Sequence, residues 1–389
     1  MSTDVFSGIW ISSLDWVAQP AVIVGISCLI LFILISLGGK IIMSVSANRK
    51  SAYIEDDGVG RHSFSIVVPT FNEGRSVIEK INRLSKLDYP AELLEVIFVD
   101  SSNDGTFELI RESAPNLPFQ TKVLFSPRKN GLSGALDLAY SSSISDIMMK
   151  SDCDIVMSSD ILIALSRAYS DASVGAASAC GAVSDKGREK FEDGYRKLKL
   201  NDRVMESRVH STHIFDTVAT IRRELYTGVT PGITADDAEL AIQAIRGGKR
   251  AILVPDANFV EELPTGKALR EIKYRRAGAH LKLLFQNRDM LFSRRYGQFS
   301  RYIYPRIFAL MTICPILFIS GVLSLSYSFA NGEYWDLFGV IIVAMSTIMI
   351  CLPRQRVLLV AVSQVQVDLI LGLFFILKNR NSGTWEASR

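Results

Sequence analysis

Ala21 to Gly39 is a run of 19 uncharged, mostly apolar residues. A helix rises 1.5 Å per residue, so a run of this length crosses ~30 Å of hydrocarbon. Nothing basic precedes it: the first 20 residues carry Asp4 and Asp15 and neither Lys nor Arg. Lys40, Arg49 and Lys50 follow it. This arrangement predicts a retained anchor over 21–43 rather than a cleaved signal. Residues 1–20 would lie outside the cell membrane and the chain from about residue 45 in the cytoplasm.

Three further apolar stretches lie near the other end. Ile307–Ala330 is uncharged and predicts a span over 304–330. Leu337–Leu352, flanked by Tyr334 and Trp335, predicts a second over 336–352. Residues 357–377 include Gln364, Gln366 and Asp368 and read as transmembrane or interfacial. Three complete spans would leave Lys378, Arg380 and Arg389 outside, against the positive-inside rule, so the last segment stays open. Asp368 at membrane depth needs a partner or a polar cavity. The expectation is a multi-pass membrane protein with its middle region cytoplasmic.

That middle region, 62–263, is long enough for one domain with its own core. Short apolar runs alternate with helical stretches. Strands are expected at Phe64–Val68, Glu95–Asp100, Lys122–Phe125 and Asp146–Lys150. Helices are expected at Glu73–Leu87, Gly105–Glu112 and Gly131–Ser143. This is the α/β pattern of a Rossmann-like, mainly parallel sheet. A net charge of +3 (43 basic against 40 acidic residues) gives no reason to expect nucleic acid as a partner. Five cysteines without paired spacing exclude a disulfide scaffold and give no zinc site. Neither a P-loop nor a dinucleotide glycine fingerprint occurs.

In such sheets ligands bind beyond the carboxyl ends of the strands. Pro69–Glu73 follows the first strand, Asp100–Thr106 the second, and Ser151–Asp154 the fourth. Asp152 and Asp154 offer two hard oxygen ligands just past a strand, suited to Mg2+ or Mn2+ holding a diphosphate. Asp236, Asp237 and Glu239 open a helix running to about Arg246. They serve either as caps that complement the helix dipole or as a source of a general base.

Taken together, the residues Val67–Glu73, Val99–Asp100 through Asp104–Thr106, Asp152–Asp154, Asp236–Leu240 and Ala251–Pro264 resemble the membrane-bound family-2 glycosyltransferases with a GT-A catalytic domain. The likeness covers roughly residues 62–300. It implies a nucleotide-sugar donor, with Pro69, Asn72 and Glu73 near the base and ribose and Asp100 bonding the base. Asp152 and Asp154 would hold the metal and the diphosphate, and Asp237 would be the catalytic base of an inverting transfer. The acceptor would be lipid-linked or a membrane glycan. Departures from the family pattern are informative. Asp100-Ser101-Ser102-Asn103 shortens the usual Asp-Asp-Gly-Ser, and Leu132 stands where a lysine is usual, with Arg128 or Lys129 able to replace its charge. Lys273–Ala277 retains only the arginine of the processive synthases' Gln-x-x-Arg-Trp. This favours single transfer over a processive, exporting synthase. A degenerate nucleotide-binding protein is the non-catalytic alternative.

Residues 264–306 carry eleven Lys or Arg against Glu271 and Asp289. Over 264–303 this reads as one or two amphipathic helices docking on inner-leaflet membrane lipids. Arg276 is also a candidate donor-phosphate ligand, and Arg275 shares its chemistry. The pair Arg222-Arg223 reads either as a basic site pair or as structural, and His280 as core, surface or acceptor-side.

Overall fold

The structure, a computed structural model, describes residues 20–47, 62–127, 131–183, 190–231, 235–261, 266–330, 363–372 and 374. The chain forms two compact units: residues 1–42, 189–197 and 305–371, and residues 43–188, 198–304 and 372–389.

The first unit is built on helices α1 (Pro20–Ala47) and α9 (Tyr304–Ala330). Among the described residues, two helical segments are long and apolar enough to cross a membrane, Pro20–Val45 and Phe299–Ala330. They pack antiparallel. Gly25 meets Gly321 and Leu325, Phe32 lies 5.5 Å from Phe318 between ring centroids, and Ser36 Oγ lies 4.0 Å from Cys314 Sγ. The crossing depends on two absent side chains. A Cβ on Gly25 would come within 2.7 Å of Leu325, and one on Gly321 within 2.9 Å of Leu29. Ile30, Leu34, Ile41, Ile316 and Leu323 remain exposed, as lipid-facing residues would be. The expected span over 336–352 lies outside the described residues. Of 357–377, residues 363–372 are described, and they are helical.

The second unit centres on an eight-stranded sheet. Its strands are β1 (Phe64–Thr70), β2 (Leu94–Asp100), β3 (Gln120–Phe125), β4 (Ile147–Lys150), β5 (Ile155–Met157), β6 (Val174–Val183), β7 (Ala219–Arg222) and β8 (Arg250–Glu261). The order across the sheet is β3-β2-β1-β4-β7-β6-β8-β5. The first four strands are mutually parallel, as expected. β7 then pairs antiparallel with both β4 and β6, β8 is parallel to β6, and β5 closes the far edge antiparallel to β8. β1, β2 and β4 are buried at every position, as mainly apolar strands covered on both faces are, and buried polar residues among them are paired: Ser65 Oγ donates to Glu95 Oε2 at 2.6 Å and Thr70 Oγ1 to Asp100 Oδ1 at 2.7 Å.

Connecting helices are α2 (Ser76–Leu84), α3 (Thr106–Ser113), α4 (Gly131–Ser142), α5 (Ile161–Tyr169), α6 (Lys190–Val209), α7 (Asp236–Arg246) and α8 (Lys267–Gln286). The helix expected from Glu73 begins only at Ser76, because the chain first turns through Asn72 and Gly74, both at positive φ. In the basic segment, Leu269, Ile272, Leu281, Leu283 and Leu284 of α8 are buried, whereas Phe285, Phe292 and Tyr302 are exposed.

Chain order reverses between β1 and β4: β2 and β3 lie to one side of this point and the later strands to the other. This is a topological switch point, where crevices open at the carboxyl ends of strands. Pro69 marks it. The β1–β4 ladder ends at Val67↔Lys150, and Ser151 N donates to Val67 O at 3.0 Å. Backbone groups two residues apart in a strand point to the same neighbour, so Pro69 lacks its N–H on the side where β4 has already turned away. A proline inside a central strand costs little there.

Candidate active site

The loops after β1 and β2 are tied into one rim. Asn72 takes φ 55°, a conformation Asn tolerates. Its N–H donates to Ser102 Oγ (2.7 Å), and its Oδ1 accepts from Asn103 N (3.1 Å). Asp100 is fully buried. It accepts from Thr70 Oγ1 (2.7 Å), Ser102 Oγ (2.6 Å) and Ser102 N (3.0 Å). Ser102, in the shortened motif, thus binds both loops, and Asp100 spends its oxygens ordering the rim. Pro69 is buried beneath this rim, Asn72 is exposed and Glu73 half-buried.

Beyond β4, Asp152 is half-buried and Asp154 exposed, with Cys153 buried between them as a small spacer. Two buried lysines hold this turn, and neither was expected from the motifs. Lys80 lies on the buried stripe of α2 with Val77, Ile81 and Leu84. Its ammonium donates to Ser151 Oγ (2.7 Å) and Ile155 O (3.0 Å), the two ends of the acidic turn. Burial pushes its pKa down to about 8, against the pull of Cys153, Asp152 and Asp154. Lys150 reaches Asp236 Oδ2 (2.7 Å) and Asp152 Oδ1 (3.5 Å). Burial alone would lower the pKa of Lys150, but Asp152, Asp236 and Asp237 together raise it. Desolvation by the surrounding chain, then Asp152 and Glu261, push Asp154 up to about 6; burial likewise raises Asp152.

The adjacent acids Asp236 and Asp237 diverge. Asp236 is 4% exposed and ion-paired with Lys150. Asp237 is half-buried, its Oδ1 accepting from Ala238 N at 2.8 Å in the first turn of α7. Desolvation and the charge of Asp236 push its carboxyl up to about 7, against Lys150, the Ala238 N–H and Arg276. That value suits a general base at neutral pH. The loop leading toward α7 is tied down by three side chains. Asp137 accepts from Tyr226 and from Val229 N (2.9 Å), Glu239 accepts from Thr230 N, and Gln243 donates to Gly228 O (2.6 Å).

Arg276 pairs with Glu261 at the end of β8 (2.6 Å) and lies within electrostatic range of Asp237. Arg275 is half-buried and lies within electrostatic range of Asp152; burial lowers its pKa. Arg222 and Arg223 are structural. Arg222 donates to Val174 O and Tyr169 O at 2.7 Å each, and Arg223 to Ser143 O at 2.9 Å. The Nδ1 of His280 is buried without a hydrogen bond. Lys80 was detectable in the sequence as a charge on an apolar helical stripe. Lys150 was detectable from its place two residues before Asp152 on a buried strand.

Among the described residues, no three or more His, Cys, Asp or Glu side chains gather around a common point. Asp152 and Asp154 supply two carboxylates, a donor chemistry that suits a hard cation completed by substrate phosphates rather than a protein-only cage.

Residues 65–228 match the family model described as glycosyl transferase family 2. These residues are a glycosyltransferase family 2 domain. The family-2 domain and the segments around it have the fold of a mannosyltransferase from Pyrobaculum calidifontis, solved in complex with GDP-Man and Mn2+. That protein is 23% identical, with a TM-score of 0.74 over 91% of this chain and 99% of the other. A dolichol-phosphate mannosyltransferase of Pyrococcus furiosus is 26% identical over 173 residues, 42% of this chain. The match spans 47% of that relative, about half its length. The GT-A fold expected from the sequence is therefore present, with its strand-end motifs at the switch point.

Proposed function

We propose that this family-2 domain transfers a sugar, with inversion, from a nucleotide-sugar donor to a lipid-linked or membrane glycan acceptor, using Mg2+ or Mn2+. The observation that carries the reading is that Lys150 joins two electrostatically different acid sets, reaching Asp152 of one and Asp236 of the other. Asp152 and Asp154 are open at the switch point, and Asp237 is held near neutrality beside the Lys150–Asp236 ion pair. When bound, the cation neutralises charge on the leaving diphosphate. Asn72 and Glu73 line the rim on which the nucleotide rests, over buried Pro69 and ordered by Asp100. Arg276 and Arg275 add positive charge on the α8 side. Asp237 accepts the proton of the acceptor hydroxyl as its oxygen attacks the sugar carbon. The names of the relatives make GDP-mannose the first donor to test and a polyprenyl-phosphate the first acceptor. Two antiparallel apolar helices support a membrane location, with 264–303 at the inner leaflet and 336–352 and 357–377 as further membrane segments.

The test is a donor screen on membranes containing the full chain, using radiolabelled GDP-mannose and UDP-sugars with Mn2+. Products are read by lipid extraction and gel filtration. Label in one lipid species, lost in Asp154→Asn and in Asp237→Asn, is the expected result. Full transfer by both variants would refute the site assignment, and a ladder of long polymer would replace single transfer with processive synthesis.

A further inference from the structure

The Lys150 ion pair joins two parts of the site that are far apart in sequence. Lys150 ends β4, Asp236 opens α7, and Asp152 belongs to the turn between β4 and β5. One ammonium, 5% exposed, lies 2.7 Å from Asp236 Oδ2 and 3.5 Å from Asp152 Oδ1. A buried ion pair that served stability alone could sit anywhere in the core, and apolar groups often replace such pairs without loss. This one is sandwiched between the residue beside the candidate base and a candidate metal ligand. Lys80 already anchors the backbone ends of the acidic turn, through Ser151 and Ile155, so the turn does not need a second ammonium to be held in place.

We propose that Lys150 is a positioning residue that acts as a resident internal cation of the site. This rests on the reading of Asp152 and Asp154 as metal ligands and Asp237 as base. Lys150 neutralises Asp236, so that of the two adjacent acids only Asp237 is left to take a proton. It holds one oxygen of Asp152 and sets the spacing between the metal-binding turn and the start of α7. It also opposes the metal by like charge, which keeps the cation weakly held until donor phosphates complete its ligand set.

The two halves of the ion pair then shift metal affinity in opposite directions, which a purely structural pair would not do. Lys150→Met removes a positive charge 3.5 Å from Asp152 Oδ1 and is expected to tighten Mn2+ binding about tenfold. Sugar transfer falls about a hundredfold as the base loses its register. Lys150→Arg keeps the charge and restores wild-type Mn2+ affinity. Asp236→Asn leaves the ammonium to Asp152 alone and weakens Mn2+ binding by a similar factor. The measurement is isothermal titration of the detergent-solubilised full chain with Mn2+ in the absence of donor, alongside transfer assays. Opposite shifts support the proposal; shifts in the same direction, or none, overturn it. If Lys150→Met fails to fold, Asp236→Asn decides alone: weaker Mn2+ binding supports the proposal and unchanged binding overturns it. A wild-type chain that binds Mn2+ while the variants shift together removes only the role of Lys150. A wild-type chain that binds no Mn2+ even with a nucleoside diphosphate present removes the metal reading, and the proposal with it.

Discussion

Lys80→Met separates what holds the fold from what holds the site. Lys80 is fully buried, and burial holds its pKa at about 8, well below the ordinary 10.5 of a lysine. At pH 7 its charge therefore costs about 3 kcal/mol relative to the unfolded chain. Methionine, unbranched and of similar length, removes that cost. It also removes two donated hydrogen bonds and leaves the Ile155 carbonyl without its donor, a loss of about 1–3 kcal/mol. The opposing terms nearly cancel, so stability at pH 7 should change by less than about 2 kcal/mol. Transfer should not survive as well. With Ser151 and Ile155 released, Asp152 and Asp154 shift, and a 1 Å displacement costs about a hundredfold. The pH dependence gives a second signature. Between about pH 8 and 10.5 the unfolded chain holds the proton that native Lys80 has lost, so wild-type stability rises with pH across that window. The variant lacks this rise. Urea unfolding of the detergent-solubilised protein at pH 7 and 9.5, with single-turnover transfer at pH 7, provides both readouts. A loss of more than about 4 kcal/mol at pH 7, or full transfer by the variant, would refute the reasoning.

Three other outcomes are expected. Asp237→Asn should lower kcat at least a thousandfold while donor dissociation constants stay within a few-fold. In the wild type, kcat should fall as pH drops through about 7 or somewhat below, since a base must be ionised; a flat acid limb would count against Asp237. His213 is buried with neither ring nitrogen hydrogen-bonded. It lies edge-on to Phe299 and Tyr304 and near His280, and burial lowers its pKa to about 3. Its neutral form keeps its contribution above pH 6.5 and loses it as pH falls toward 3. Between pH 7 and 5 His213 alone should thus contribute a loss of about 2 kcal/mol; His280, lowered to about 4, adds to it and the raised Asp237 and Asp154 oppose it, so the readout is the difference in urea midpoints between wild type and His213→Phe at the two pH values, expected to change by about that amount. Asp216→Asn leaves Arg203, its partner at 2.7 Å, largely buried without its ion pair and with only Glu206 and Cys180 acting on its charge, and thermal unfolding should show a loss of about 3 kcal/mol.

Much of the architecture was legible because parallel α/β sheets concentrate their chemistry at strand ends. Polar clusters after Val68, Asp100 and Lys150 stand out against apolar runs, and the acidic start of α7 at Asp236 marks its own helix. β6 was not legible. Its sequence, Val-Gly-Ala-Ala-Ser-Ala-Cys-Gly-Ala-Val, has branched residues only at its two ends and no aromatic one, with small residues between. The reason lies in packing: a Cβ on Gly175 would come within 2.5 Å of Lys249, and one on Gly181 within 2.7 Å of Phe259. The antiparallel insertion of β7 was also hidden, because pairing direction leaves no local trace in residue order. Lys80 and Lys150 carry only a weak sequence signal for another reason. A lysine within an apolar pattern is ordinarily taken as solvent-facing, and only the folded geometry shows the carboxylates that make its burial tolerable. Sequence alone could not divide Asp236 from Asp237, since their difference is created by a lysine 86 positions before the first of them.

The glycine-mediated crossing of α1 and α9 has a consequence for topology. Because the helices run in opposite directions, the end at which the chain leaves the first is also the end at which it re-enters the second. If both cross a bilayer as a pair, the roughly 250 residues between them share a single aqueous compartment, whichever way the hairpin is threaded. Sidedness of the whole catalytic segment then reduces to one binary choice made at the first insertion, and a single glycosylation or protease-protection reporter within it reads that choice for all of it.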